Sequence, residues 1–134
     1  MIDFEVDMFD ELARLVYDAY PTAYVAAENV ERPASFPCVT IVEFSNSTHY
    51  RRLDSSGEEN AARLTYVVNV YSNSASDAKA TCRDILALVD ERLRLYNFTR
   101  SFARPTDNAA DPSVYRITAR YSGTVDKNGT YYRR

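Results

Sequence analysis

The chain has 134 residues and a formal net charge of −3, and its fourteen arginines and eleven tyrosines stand beside only two lysines and no tryptophan. This length supports one domain with a single core, over residues 1–134. The slight negative charge excludes an overall electrostatic attraction to nucleic acid or anionic lipid, and no apolar run approaches the ~20 residues that a membrane-spanning helix needs.

The bias toward arginine and tyrosine is typical of surfaces that bind other proteins. Both side chains bring large flat contact areas with directional hydrogen bonds, and arginine loses less freedom per hydrogen bond than lysine does. Codon usage combined with tyrosine-rich strands is the alternative explanation of the same bias. We therefore expect a chain that works by holding other chains.

The first predicted element is an amphipathic helix over residues 4–20. Its apolar residues recur at helical spacing and form one stripe: Met8, Leu12, Leu15, Val16 and Ala19. Asp3 is the expected N-cap, and Pro21 ends the helix because helical backbone angles are disfavoured for the residue before a proline. A short strand is predicted at residues 24–27.

A hairpin is predicted next, because residues 38–44 and 63–72 are rich in β-branched and aromatic side chains. In the second strand, one face carries Leu64, Tyr66, Val68 and Val70, and the other carries Thr65, Val67, Asn69 and Tyr71. An arm at about residues 47–61 joins the strands and carries Tyr50, Arg51, Arg52, Glu58 and Glu59. We expect this arm to be flexible in a free subunit and to order against a partner, because an isolated two-stranded ribbon is marginal in water.

The second half of the chain predicts another helix and a further antiparallel hairpin. Apolar residues at helical spacing indicate a helix over residues 77–95, with Ser76 as N-cap and Asn97 as a left-handed C-terminal cap. Strands follow at residues 99–104 and 114–125. The Asn128-Gly129 turn then predicts a short last strand at residues 131–134.

The order helix, strands, helix, strands predicts an α+β fold with a mainly antiparallel sheet and a long hairpin or loop arm. We expect the two helices to pack on one face of the sheet. The other face should stay polar, because it carries Arg116, Thr118 and Arg120.

Candidates for catalysis and for cofactor binding are few. Cys38, His49 and Asp54 could form a nucleophilic triad, but Cys38 opens an apolar strand, where a free cysteine commonly packs as a small hydrophobic residue. One histidine and two cysteines on separate elements do not match a zinc site, and three scattered glycines form no phosphate loop. The acidic cluster of Asp54, Glu58 and Glu59 fits a solvated loop better than a cation site. We predict no enzyme activity, no cofactor and no metal.

Two arginine doublets with neighbouring tyrosines are also what a single-strand nucleic-acid binder presents. They are Arg51 and Arg52 beside Tyr50, and Arg133 and Arg134 beside Tyr131 and Tyr132. The net acidity and the adjacent Glu58 and Glu59 argue against that function. Salt bridges to acidic patches on another subunit explain the same residues more simply.

Several stretches resemble a known family. The runs 54–60 (DSSGEEN) and 63–73 (RLTYVVNVYSN) are accompanied by residues 33–37, 88–91, 97–100 and 115–134. Together they resemble small neck proteins of long-tailed bacteriophages, which are often labelled minor capsid, tail-completion or tail-terminator proteins. The likeness runs from about residue 30 to the end, and it rests on overall pattern and length without a catalytic signature.

The resemblance implies a subunit of a ring, typically hexameric, that caps the last ring of the tail tube. Such a ring stops tube polymerisation and offers a surface to the head-completion proteins. The family combines a sheet, a packing helix and a long loop that engages a neighbour, and the arm at 50–60 matches that loop. A head-completion component of the neck is the alternative position that the same resemblance allows.

The resemblance also implies a location in the virion, after assembly in the bacterial cytoplasm. Residues 1–10 are acidic where a secretory signal would be basic, which favours the cytoplasm independently. The candidate contact surfaces are the arm, the strand face with Arg116 and Arg120, and the C-terminal residues Tyr131, Tyr132, Arg133 and Arg134. A solvated strand face, an unpaired loop and a frayed terminus are the corresponding alternatives.

The arm assignment predicts the effect of a charge reversal. Replacing Arg51 and Arg52 with glutamate should leave the monomer folded, because neither residue belongs to the predicted core, and should weaken assembly with partner proteins. Circular dichroism checks the fold, and analytical ultracentrifugation checks the assembly. Assembly at the wild-type level would show that the arm makes no partner contact.

Overall fold

The structure, a computed structural model, describes residues 3–28, 30, 33, 35–48, 61–74, 76–106, 113–126 and 131–132. In chain order the elements are α1 (Glu5–Ala19), β1 (Tyr24–Ala26), β2 (Cys38–Thr48), β3 (Ala61–Ser72), α2 (Ala78–Leu95), β4 (Thr99–Pro105), β5 (Tyr115–Asp126) and β6 (Tyr131–Tyr132). The chain is therefore α+β. Residues 49–60 of the predicted arm lie outside the described residues. Neither described helix is long and apolar enough to cross a membrane.

Five strands form one sheet in the order β1-β2-β3-β5-β4, and the two-residue β6 pairs with the end of β5. β3 is antiparallel to both of its neighbours, so that Val68 lies opposite Ile41 of β2 and Ala119 of β5. β4 is antiparallel to β5, whereas β1 runs parallel to β2, with Tyr24 opposite Cys38. The sheet is thus mostly antiparallel, as predicted, but the β1–β2 pair makes it mixed. β1 and β2 are joined by a longer connection instead of a tight turn, as parallel pairing requires.

The core lies on one face of this sheet. Leu64, Tyr66, Val68 and Val70 of β3 are at most 1% exposed, which confirms the face predicted from their alternation. Both helices place their apolar stripes in the same cluster. The stripes comprise Met8, Leu12, Ala13 and Val16 of α1, and Cys82, Ile85, Leu86, Val89 and Leu93 of α2. Two residues of the predicted α1 stripe are not in this core, because Leu15 is half-buried and Ala19 is exposed.

The N-terminal ends of both helices differ from the prediction by one residue. Phe4 occupies the N-cap position of α1, and Asp3 precedes it, accepting a hydrogen bond from the Glu5 backbone nitrogen at 3.1 Å. Asp77, not Ser76, occupies the N-cap position of α2, and its carboxylate accepts a hydrogen bond from the Ser74 hydroxyl instead of capping the helix. A competing local side-chain bond of this kind is a common alternative for aspartate near a helix start.

Two carboxylates tie the helices into the fold. Glu11 of α1 accepts hydrogen bonds from Arg92, at 2.8 Å, and from the Tyr96 hydroxyl, which connects the two helices. Asp90 of α2 is only 9% exposed and accepts from Arg100 of β4 at 2.8 Å and from the Tyr121 hydroxyl of β5 at 2.7 Å. Charge-assisted bonds of this length are the stronger class of hydrogen bond, so Asp90 fixes α2 over the strands at this side of the sheet.

The C-terminal end of α2 is closed by the cap that the sequence predicts. Asn97 has a φ of 63°, in the left-handed region. Its backbone nitrogen bonds to the Arg94 carbonyl at 3.0 Å, and the next nitrogen, of Phe98, bonds to the Leu93 carbonyl at 3.0 Å. This pair of bonds is the Schellman motif, and Phe98 and Leu93 supply its buried apolar contact.

The cap delivers Phe98 onto β5 at a position that only glycine can occupy. A Cβ at Gly123 would lie 2.8–2.9 Å from three carbon atoms of the Phe98 ring. The ring also packs against Tyr66, with 5.8 Å between the ring centroids. Gly123 is therefore required by the close approach of an aromatic ring to the sheet.

Gly123→Ala should lower the free energy of unfolding by about 1–3 kcal/mol, the usual cost of overpacking a filled core. Denaturant unfolding monitored by tyrosine fluorescence measures this change. Combining it with Phe98→Leu should restore part of the loss, because a smaller side chain relieves the contact with the new methyl group. An unchanged unfolding midpoint in Gly123→Ala would contradict the packing described here.

Candidate interaction surface

The sheet face opposite the helices is the candidate functional surface of this chain. We call it the outer face. Its side chains come from alternate positions of four strands and comprise Val42, Phe44, Arg63, Thr65, Val67, Asn69, Tyr71, Phe102, Arg104, Arg116, Thr118 and Arg120. One end is covered by Phe36 and Val114, which pack on Cys38 and Tyr71. The rest of the outer face lies away from both helices.

A bulge in β4 decides which of its side chains join this face. The register shifts between Arg100 and Phe102, so that Arg100 lies opposite Tyr121 and Phe102 lies opposite Arg120. Because strand side chains alternate, a regular strand would place Arg100, Phe102 and Arg104 on one face. The extra residue of the bulge separates them. Arg100 turns toward Asp90 on the helix side, and Phe102 and Arg104 join the outer face.

Arginines and aromatic rings stack on one another across the outer face. Arg120 lies over Phe44, with 4.6 Å from its guanidinium carbon to the ring centroid, and over Phe102 at 5.8 Å. Arg104 lies over the ring of Phe102 in its own strand, at 5.0 Å. Stacking holds each planar guanidinium in place, which lowers the freedom that it loses when it binds a carboxylate.

A second stack occupies the end of the outer face near the core cluster of Cys38. Arg116 lies 5.3 Å from the Tyr71 ring centroid, and its Nε donates to the Asn69 side-chain oxygen at 3.0 Å. The Thr118 hydroxyl donates to the same oxygen at 2.6 Å. Burial raises the pKa of Tyr71, and the positive charge of Arg116 partly opposes this shift. The arginine is thus oriented from two sides.

The charge of this face is predominantly positive. Its described side chains include four arginines, which are Arg63, Arg104, Arg116 and Arg120. Asp126, at the end of β5 opposite Ala61, supplies a carboxylate at the margin of the face. Phe44 is 61% exposed beside these charges. The surface therefore combines fixed positive groups with exposed aromatic area.

The structure corrects the expectation that this face is polar. Arg116, Thr118 and Arg120 lie on it as predicted, but so do Phe44 and Phe102. Alternation along β2 already indicates Phe44. The position of Phe102 could not be read from the sequence, because it depends on the β4 bulge.

Most of the other predicted contact residues lie outside the part of the chain that the structure describes. Tyr50, Arg51, Arg52, Glu58, Glu59, Arg133 and Arg134 lie outside the described residues. Tyr131 and Tyr132 form β6, whose backbone pairs with Val125 and Thr124 of β5. Tyr131 and Tyr132 therefore lie in the same sheet as the outer face. The predicted interface role of these residues stays a prediction.

The two thiols lie in surroundings that disfavour nucleophilic chemistry. Cys38 and Cys82 are both fully buried, and burial raises the pKa of Cys38 to about 11 and that of Cys82 to about 12. The Cys82 thiol lies 3.6 Å from the Val70 carbonyl oxygen, to which it donates. His49 and Asp54, the predicted partners of Cys38, lie outside the described residues. Among the residues that are described, no group of three or more His, Cys, Asp or Glu side chains could hold a metal ion.

Comparison with known proteins gives no assignment: the chain matches no protein-family model and no curated protein.

The buried thiols predict slow modification of the native protein. A pKa of about 11 at Cys38 leaves about 100-fold less thiolate at neutral pH than a pKa of 9.0 would. A disulfide reagent should therefore label neither cysteine within minutes in buffer and both within seconds in denaturant. Rapid stoichiometric labelling of Cys38 in the native state would instead revive the nucleophile hypothesis.

Proposed function

We propose that this chain is a structural assembly subunit that acts through protein–protein contacts and carries out no chemistry. Specifically, it is a tail-terminator or tail-completion subunit of a long-tailed bacteriophage, in the virion neck. It forms a ring that caps the tail tube and joins it to the head-completion proteins. The observation that carries the proposal is the arginine–aromatic outer face, which lies on the opposite side of the sheet from both helices.

The composition of the outer face fits a protein partner. Aromatic rings and arginines are the residues that most often dominate binding energy in interfaces. Here Phe44 offers exposed apolar area, and Arg120 and Arg104 lie over rings. Ordering long side chains on binding costs about 0.5–1.5 kcal/mol each. Side chains that are already stacked lose less freedom, so more of the contact energy remains for association.

The size of the subunit is sufficient for several partners. Its accessible surface is 7737 Å², and a contact of standard size buries roughly 800 Å² of each partner. Two contacts within a ring would therefore cover about a fifth of the surface. A head-to-tail contact that closes gives a ring, and a closed ring presents one face to the tube and one to the head. The number six is taken from the family resemblance.

The specific position within the neck rests on the sequence resemblance. Residues 54–60 and 63–73 carry it most clearly, and 61–72 form β3, the central strand of the fold. A head-completion component is the alternative within the same class. Both positions require a subunit that contacts copies of itself and adjoining virion proteins, so the outer face supports them equally.

Nucleic-acid binding is the alternative from another class, and the positive outer face makes it testable. Bases would need aromatic faces on which to stack, and Phe102 already lies beneath both Arg104 and Arg120. Several phosphate contacts would give a steep loss of affinity for a DNA oligonucleotide between about 50 and 200 mM salt. We expect no such binding above the non-specific level.

The proposed function predicts that the exposed aromatic side chain of Phe44 is needed for capping the tail tube. Phe44→Ser should weaken binding to tail-tube ends at least about fivefold, because truncating a dominant aromatic residue of an interface costs more than about 1 kcal/mol. Its stability should change little, since Phe44 is 61% exposed. The measurement combines the purified protein with tail-tube protein of the same virus and counts capped tubes by negative-stain electron microscopy.

Leu95→Ser is the matched control for this experiment. Leu95 is 69% exposed and ends α2, on the opposite side of the sheet from the outer face. The control removes similar apolar area and should cap tubes at the wild-type level. Wild-type protein that neither caps tubes nor binds head-completion protein would overturn the proposed function. If the Phe44→Ser variant capped tubes at the wild-type level, the outer face would have no part in the proposed function.

A further inference from the structure

The outward side of α1 is the acidic counterpart of the outer face. The helix contains Arg14 and five carboxylates, which are Glu5, Asp7, Asp10, Glu11 and Asp18. Asp7, Asp10 and Asp18 are exposed, on the side of the helix away from its buried stripe. We call this exposed side the acidic helix face.

Two apolar side chains lie among these carboxylates. Val6 is 66% exposed and Tyr17 is 41% exposed. Val6, Asp10 and Tyr17 fall on one line along the helix, because residues four and seven positions apart share a face. An exposed tyrosine and valine next to carboxylates form a surface of mixed character, like the outer face but of opposite charge.

We propose that the acidic helix face of one subunit docks on the outer face of a second copy of this chain. This inference rests on the proposed function and names the surfaces that meet in self-assembly. Tyr17 would contact the exposed ring of Phe44. The carboxylates of the helix would meet the arginines of the sheet.

Charge complementarity favours a second copy as the occupant. The outer face carries four arginines, and the helix carries five carboxylates against one arginine. A groove of about 370 Å³ runs beside α1, lined by four carboxylates and by Arg14 and Arg92. Arg92 is already paired with Glu11, which leaves the three aspartates of the groove to meet a partner. Arg104 is exposed at the sheet edge, and a guanidinium pairs well with carboxylates in a fork geometry.

The dimensions of the two surfaces also agree. A helix of 15 residues is about 22 Å long and about 10 Å wide. The four strands that form the outer face span roughly 14 Å between their outermost axes, and 12-residue strands are roughly 40 Å long. The helix therefore fits within the outline of the face.

The two surfaces lie on opposite sides of the subunit, because the sheet separates the helices from the outer face. One subunit can use both at once, with one neighbour on each side. A contact between unlike surfaces is heterologous, so it propagates from subunit to subunit and ends only when the ring closes. A face-to-face pair of identical outer faces would instead bring like charges together.

Charge-reversal variants of the two surfaces test this arrangement. The helix variant is Asp10→Lys with Asp18→Lys, both at exposed positions. A lysine at position 18 also suits the last turn of the helix, where the macrodipole favours positive charge. The face variant is Arg104→Glu with Arg116→Glu. The control is Asp84→Lys with Glu91→Lys, which makes the same charge change at exposed positions of α2.

Sedimentation velocity at physiological salt measures self-association of each protein. We expect the wild type and the control to associate. The helix variant and the face variant should each dissociate at least about tenfold more readily, because like charges brought together in an interface cost several kcal/mol.

The mixture of the two variants is the decisive measurement. Each variant keeps one intact surface, so the helix of the face variant should bind the outer face of the helix variant. The lysine-bearing helix of the helix variant also matches the glutamate-bearing face of the face variant, so the mixture should regain assemblies of wild-type size in which the two variants alternate. A chain that carries both sets of substitutions should associate again with itself, because the charges are exchanged.

Several results would overturn the proposal. They are a wild type that stays monomeric at all attainable concentrations, a helix variant that associates like the wild type, and a mixture in which the two variants do not associate with each other. Loss of DNA binding by the face variant, with self-association unchanged, would assign the outer face to nucleic acid. Misfolding of the face variant, seen by circular dichroism, leaves the helix variant and its control to decide. Tube capping that persists without self-association would overturn this inference and leave the proposed function in place.

Discussion

The hydrogen bonds that the buried Asp90 carboxylate accepts are the interaction on which the two faces of the sheet depend. It holds Arg100 and the Tyr121 hydroxyl on the helix side of the sheet, through bonds of 2.8 and 2.7 Å. An unpaired carboxylate at 9% exposure would be costly. The pairing therefore requires Arg100 to lie on the helix side of the sheet, and the bulge in β4 accommodates this by placing Phe102 and Arg104 on the outer face.

The outer face gains Phe102 and Arg104 because of the bulge in β4. Arg116 and Arg120 alone would form a solvated basic strand, of the kind found on many sheets. The addition of Phe102 from β4 and Phe44 from β2 supplies rings that hold the guanidinium of Arg120. A surface of fixed charges and apolar rings loses less entropy on binding than a surface of freely moving side chains. The pairing of Asp90 that stabilises the fold therefore also shapes the surface that we propose for partner contacts.

The charges of the chain are separated between its two sides. The net charge of −3 conceals an acidic helix on one side of the sheet and an arginine-rich face on the other. Each subunit therefore has an acidic side and a basic side. Two acidic or two basic sides repel each other, and an acidic side attracts a basic one. Directional subunits assemble head to tail, which is the arrangement that the proposed ring requires.

The sequence by itself determined the elements and the core. The 3.6-residue spacing of Met8 and Leu12 and the alternation of Leu64 and Tyr66 are local properties, because burial of one face imposes them on any helix or strand. The left-handed cap at Asn97 is local for the same reason. The parallel pairing of β1, the contact of Phe98 with Gly123 and the outward turn of Phe102 were decided only by the tertiary structure. Each depends on a contact between different elements of the fold. The hydrogen bond between Asp90 of α2 and Arg100 of β4, for example, is linked to the bulge that places Phe102 on the outer face, and residue spacing in the sequence does not reveal that contact.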